Sequence, residues 1–188
     1  NHSEKYLRLM SETGVLGKLF PDFQKICEEI LNDRSKNKEI IDKTGLKPNT
    51  FFSGSKLKWV YENKSEVKSK IDNGDILFGT IETYLIYRLT NLNSYVTDTT
   101  NASRTLLFNC LENSWDQNLL NIFDGNNLKL PKILNSSNIF GESDFNKAFE
   151  KSIPIIGVAG DAQASFFANF CFEINSKGVQ DRLGLFLI

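Results

Sequence analysis

Histidine is nearly missing from this chain: His2 is the single one in 188 residues. Neither a Ser-His-Asp triad nor a His-rich metal cluster can be assembled from it, and no metal ligands are assigned. Cysteine is sparse as well. Cys27, Cys110 and Cys171 are odd in number, far apart, and form no Cys-x-x-Cys. That pattern argues against a disulfide scaffold or a zinc ribbon, and for a reducing, cytoplasmic setting. No apolar run nears the ~18 residues that span a bilayer. The opening Asn1-His-Ser-Glu-Lys-Tyr6 has no apolar signal core and no initiator Met, so the chain is expected to begin inside a longer product. Charge of one sign is lacking too: 22 Lys and Arg face 23 Asp and Glu, for a net −1. No field steers such a chain toward nucleic acid or an anionic membrane, and neither is expected as a partner.

What is present suits one soluble domain. A hydrophobic share of 40% supplies a core. Residues 1–20 give a weak helical pattern broken at Gly14 and Gly17. Pro21-Asp22 opens a helix with Phe23, Ile26, Cys27, Ile30 and Leu31 at helical spacing. Residues 32–38 read as polar connection, and 39–43 as one more turn closed by Gly45. Ser53-Gly-Ser55 reads as a cap for a helix over 56–63, with a short helix over 65–71 behind it. Ile76-Leu-Phe-Gly79 suits a buried strand, and Thr80 caps a helix through Leu89. Residues 95–98 suit a short strand, 116–123 a helix capped near Ser114 or Asp116, and 131–141 irregular chain. Residues 153–158 suit a buried strand whose pairing Pro154 limits. A helix over 162–172 follows, and strand, tight turn, helix is an α/β unit.

Three clusters carry chemistry. In Gly157-Val-Ala-Gly-Asp-Ala-Gln163 a carboxylate sits between strand end and helix start, the edge where α/β sheets bind ligands. Asp161 is there either a helix N-cap or a general base that accepts a hydroxyl proton. Thr97-Asp-Thr-Thr-Asn-Ala-Ser-Arg-Thr105 is either a side-chain-stabilised loop, with Arg104 pairing Asp98, or a substrate-proximal loop. In Phe51–Asn63, Lys56 and Trp59 share a helix face, as a snorkelling Lys over a buried Trp or as part of a site.

Taken together, these stretches resemble a known family. Thr44-Gly-Leu46, Phe51–Trp59, Ile76–Thr90, Val96–Asn109, Ser114-Trp-Asp116, Leu130-Pro131 and Ile153–Asp161 are similar in order and spacing to glycerol kinases, within the FGGY family of carbohydrate kinases. The resemblance covers roughly residues 26–174, as a partial N-terminal domain, with 1–25 unmatched and 175–188 a divergent tail. It implies an α/β fold of the actin-like, ribonuclease H-like ATPase type, here incomplete. It implies ATP and Mg²⁺, glycerol as the small-molecule partner, a complete protein that could be a homo-oligomer, and Asp161 as the catalytic base. Phosphoryl transfer needs mainly positioning, charge stabilisation and a group for the alcohol's proton.

The departures matter as much. The family's phosphate-binding hairpin and second domain have no counterpart here, so no nucleotide-binding residue is assigned. Where the family has an Arg-bearing segment, Phe20–Lys25 has no Arg. Phe51 stands in place of a glycerol-contacting Tyr, and Ala162 in place of a Gln beside the base. A lost polar partner in such a pocket costs ~1–3 kcal/mol. The expectation is a chain inactive by itself, with two rival readings: a kinase for another polyol or ketose, or a non-catalytic remnant.

Overall fold

The computed structural model describes residues 21–145 and 147–170. The expectations for residues 1–20, Cys171 and the tail lie outside the described residues.

Helix α1 (Pro21–Asn32) starts on a proline, whose missing N–H is unneeded at a first helical position, and it buries Ile26, Cys27 and Ile30. The stretch after it is not a polar connection. Asp33 caps α2 (Arg34–Thr44), its carboxylate accepting from the N–H groups of Ser35 and Lys36 at 3.1 and 3.2 Å. Gly45 ends α2 in the left-handed region, at φ 70°. Helix α3 (Ser53–Asn63) begins earlier than expected, on Ser53, with Phe52 at the N-cap and no side-chain cap. A Cβ on Gly54 would stand 3.0 Å from the Phe123 ring, so glycine lets α3 lie directly on that ring. Helix α4 (Ser65–Asp72) follows.

These helices close on one core. Ile30, Ile40, Leu57, Leu107, Leu119 and Phe123 are all buried in it. Each such side chain contributes roughly 1.5–3 kcal/mol of burial. Helix α7 (Gln117–Ile122) is fixed by its cap: Asp116 accepts from the N–H groups of Asn118 and Leu119 at 2.9 and 3.0 Å. The same carboxylate pairs with Lys43 at 2.9 Å, and Lys43 also holds Glu39 at 2.8 Å, so one ammonium ties α2 to α7.

The strands form small ladders. β1 (Val96–Asp98) pairs parallel with β4 (Lys132–Leu134), with Thr97 opposite Ile133. β2 (Phe108–Asn109) pairs antiparallel with β3 (Ser114–Trp115). β5 (Ser137–Ser143) pairs antiparallel with β6 (Ile153–Gly157). A second core joins Ile86 of α5 (Ile81–Leu89) to Val96 and Phe140. Helix α6 (Thr99–Ala102) lies directly after β1, and α8 (Asp161–Ala168) closes the described chain.

Several expectations need correction. Residues 131–141 hold β4 and most of β5, a strand that buries Phe140 among otherwise mainly polar residues. Residues 76–79 make a single parallel bridge, Leu77 to Lys129, instead of a strand. The Tyr95 hydroxyl, with one proton, sits between the carbonyls of Phe78 and Lys129 at the end of that bridge. β6 is a strand but not a buried one: Ile156 is 67% exposed. Its partner among the described residues is β5, and Pro154 has no N–H to offer a further neighbour. Thr80 holds the N-cap position of α5, but its hydroxyl bonds the Glu82 carboxylate rather than a helix N–H. No described helix is long and apolar enough to cross a membrane.

The Lys43 cluster predicts a pH dependence. Burial alone would raise the pKa of Asp116, but the bonds from Lys43, the Leu119 N–H and Asn109 outweigh it and hold it below the ordinary carboxylate range. Glu39 is lowered chiefly by its bond from Lys43. Groups depressed in the folded state add stability that is present above their unfolded pKa values and lost as pH falls through the folded ones. Denaturant melts taken from about pH 6 down to pH 3 should show falling stability, and Lys43→Met should both lower the neutral-pH midpoint and flatten that decline.

Candidate functional site

β6 ends at Gly157, and residues 158–160 carry the chain into α8. Asp161 is the first residue of α8, and Gly160 is the N-cap. Asp161 therefore does not cap the helix, contrary to one of its two readings. Its Oδ1 accepts from the N–H of Ala162 at 2.7 Å, and Oδ2 has no hydrogen bond among the described residues. The side chain is exposed.

The turn that presents Asp161 is locked from behind. The Gly160 N–H donates to Thr100 Oγ1 at 2.8 Å, and that hydroxyl donates to Asp98 Oδ2 at 2.6 Å. Asp98 is fully buried. It accepts from the N–H groups of Thr100 and Asn101, the Asn101 amide, and the hydroxyls of Thr100 and Ser136. Ser136 joins β4 to β5, and its carbonyl takes the Val158 N–H at 3.0 Å. Asp98 and Asn101 thus hold the loop through the cap of α6, as in the side-chain-stabilised reading of that stretch.

Arg104 does not pair with Asp98, because those donors already occupy the carboxylate. Its guanidinium lies over the Phe52 ring, 4.8 Å from the centroid. It is half-buried there. Desolvation lowers its pKa, against the pull of the nearby Asp161 carboxylate. Phe51 packs edge-on against Phe52 at 5.6 Å and is 61% exposed. Contacts thus run from Phe51 through Phe52 to Arg104, and the Asp161 carboxylate lies close enough to act on the Arg104 charge. Ala162, next to Asp161, is buried and turns only a methyl group to its surroundings.

Lys56 is a clamp, not a snorkelling side chain. Its ammonium donates to the carbonyls of Thr50, Phe51 and Phe52 at 2.7, 2.9 and 3.1 Å, and desolvation lowers its pKa. It fixes the loop that carries Phe51. A cation in the first turn of a helix opposes the helix dipole, and that misfit was the signal available in the sequence. Trp59 is only partly buried. Its Nε1–H donates to Asp22 at 3.3 Å, and it meets Phe23 edge-on.

A cavity of about 550 Å³ opens beside the same junction, walled by Thr100, Ser136, Val158, Gln163 and Phe167 among others. Phe51, Asp161 and Ala162 are not among its walls. The described residues offer no all-protein cage for a cation and no free N–H nest for a phosphate at the start of α8. No three His, Cys, Asp or Glu side chains converge among them. The Gly160 and Ala162 N–H groups at the start of α8 are already taken by Thr100 and Asp161.

The N-terminal domain of the FGGY family of carbohydrate kinases matches residues 21–168. The chain belongs to that family. Its α/β architecture is accordingly the actin-like ATPase fold of FGGY kinases. The glycerol kinase of Halothermothrix orenii is 42% identical over 163 residues, 87% of this chain and 32% of that protein. That of Bacillus cereus is 41% identical over 148 residues, 79% of this chain and 30% of that one. The chain thus spans about a third of the length of these curated relatives. Among solved structures, Plasmodium falciparum glycerol kinase with ADP superposes with TM-score 0.74 at 35% identity, over 80% of this chain and 30% of that one. Gluconate kinase from Lactobacillus acidophilus superposes with TM-score 0.65 at 29% identity, over 76% of this chain and 28% of that one.

In this FGGY domain the Asp98 cluster is expected to carry both stability and site geometry. Asp98→Ala strands several buried donors, a cost of roughly 3–5 kcal/mol. Urea melts should show that loss, and hydrogen exchange at the Gly160 amide should accelerate more than exchange in α2.

Proposed function

We propose that this chain is the substrate-binding side of an ATP-dependent polyol kinase, with glycerol as the acceptor and glycerol 3-phosphate as the product. The observation that carries this reading is Asp161. An exposed carboxylate stands at the C-terminal end of β6, with one oxygen tied to its own helix and the other without a bond. The turn beneath it is anchored through Gly160 and Thr100 to a buried carboxylate. Such a group can take the proton of a primary hydroxyl as that oxygen becomes the nucleophile. Its helix does not need it as a cap, which leaves the carboxylate free for chemistry. Similarity to glycerol kinases supports the acceptor, and membership of a kinase family supports ATP and Mg²⁺, whose ligands are not supplied by the described residues. The compartment that fits this chemistry is the cytoplasm.

Phe51 and Ala162 favour a second reading, a kinase for another polyol or ketose. An exposed phenyl ring and a buried methyl offer no hydrogen bond where a Tyr and a Gln would serve glycerol. A pocket without those partners selects differently among hydroxylated substrates.

The test uses the protein extended to the full length of its relatives, in an ADP-release assay with glycerol, gluconate and xylulose in parallel. Asp161→Asn should lower turnover by ~10²–10⁴-fold with binding little changed, the worth of a positioned general base. Retention of more than about half the turnover would remove Asp161 from the base role. Absence of ADP release with every acceptor would remove the kinase reading itself.

A further inference from the structure

Arg104 has donors and nothing in the described protein to receive them. No described carboxylate forms an ion pair with it, Asp98 and Asp161 included. Its guanidinium makes no hydrogen bond among the described residues either, although the group is half-buried and carries five N–H donors. A surface arginine in that state would be unremarkable. This one is held in place twice. Its guanidinium lies over the Phe52 ring, 4.8 Å from the centroid, and its backbone N–H donates to Asn101 O at 3.0 Å, inside the loop that bonds Gly160. A cation over a ring face still has N–H groups to offer other acceptors.

The position of that edge matters. The Asp161 carboxylate lies near enough to favour the charged form of Arg104, and the two form no ion pair. The gap between a hydrogen-bond acceptor and a set of donors suits a hydroxyl-bearing carbon chain. A hydroxyl can give its proton to a carboxylate on one side and accept from a guanidinium on the other. Phe51, which packs against the Phe52 ring under Arg104, and Ala162, next to Asp161 in the chain, carry no side-chain donor. The altered pocket has therefore lost neutral partners around a cationic one.

We propose that Arg104 is a substrate-contact residue of this site, its guanidinium donating to hydroxyl oxygens of the polyol or ketose whose reacting hydroxyl faces Asp161. The inference rests on the kinase reading of Asp161 and extends it by naming the group that binds the acceptor. A hydrogen bond from a charged donor, lost while the other partners remain, weakens binding by about 10- to 100-fold.

The experiment compares wild type, Arg104→Met and Arg104→Lys in the protein extended to the full length of its relatives. It measures acceptor and ATP KM, kcat, acceptor binding by calorimetry without nucleotide, and thermal midpoint. The result expected for Arg104→Met is an acceptor KM and Kd raised about 10- to 100-fold, with ATP KM and thermal midpoint nearly unchanged. Arg104→Lys keeps a cation over the Phe52 ring but loses the fork, and should fall between. Should Arg104→Met fail to fold, Arg104→Lys decides, because it preserves the stacking. An acceptor KM and Kd within twofold of wild type, or a loss spread equally over ATP KM and thermal midpoint, overturns the contact while leaving the kinase reading intact. Wild-type protein that neither binds nor turns over any acceptor overturns that reading and this inference together.

Discussion

A single buried carboxylate organises the region on which any chemistry here depends. Asp98 is sealed from solvent, and a charge so placed is tolerable only when its lone pairs are met. They are met by the backbone and side chains of the next turn and by Ser136 across the ladder. The donors come from α6 and from the β4–β5 junction, and through Thr100 the network reaches Gly160. Few of these bonds would be strong alone. In a low-dielectric interior they reinforce one another, and all of them assume the same backbone arrangement. The turn before α8 is accordingly placed by polar bonding and not by apolar packing.

That division of labour runs through the molecule. The first core, under α1, α2, α3 and α7, is conventional close packing, and the Lys43–Asp116 pair pins its edge. The second core is small, and β6 and α8 leave Ile156 and Phe167 exposed. The candidate site draws on both: Phe51 and Phe52 immediately precede α3, which packs on the first core, and Asp161 opens α8. Arg104 bridges them from a loop tied to both. Rigid packing supplies a platform on one side, and a hydrogen-bond network sets the reactive carboxylate on the other.

Much of this was legible in the residues. The helical spacing of 21–31, the glycine stop at 45, and the strand–turn–helix that ends on Asp161 were readable because each rests on local chemistry. Other features were not, for identifiable reasons. β4 is only three residues long, and β5 buries Phe140 and Ser143 among Ser, Asn, Gly and Glu, so neither shows the apolar alternation that marks a strand. The run at 76–79 is apolar, but the Tyr95 hydroxyl, distant in sequence, takes the carbonyl a ladder would need. Arg104 looked like a partner for Asp98 because opposite charges invite pairing. Hydroxyls and amides nearer in sequence saturate that carboxylate first. Asp161 was read either as cap or as base, and a shift of one residue, Gly160 at the cap, separates the two.

Lys56 imposes a constraint of another kind. Three carbonyl oxygens converge on its nitrogen. An ammonium matches them because its three hydrogens radiate from one point, whereas a guanidinium spreads its donors across a plane. Arginine, the usual conservative exchange, would therefore be the wrong shape, and acetylation would leave a single N–H for three acceptors. The loop bearing Phe51 is thereby keyed to one residue type, by the shape of three carbonyl oxygens around one nitrogen.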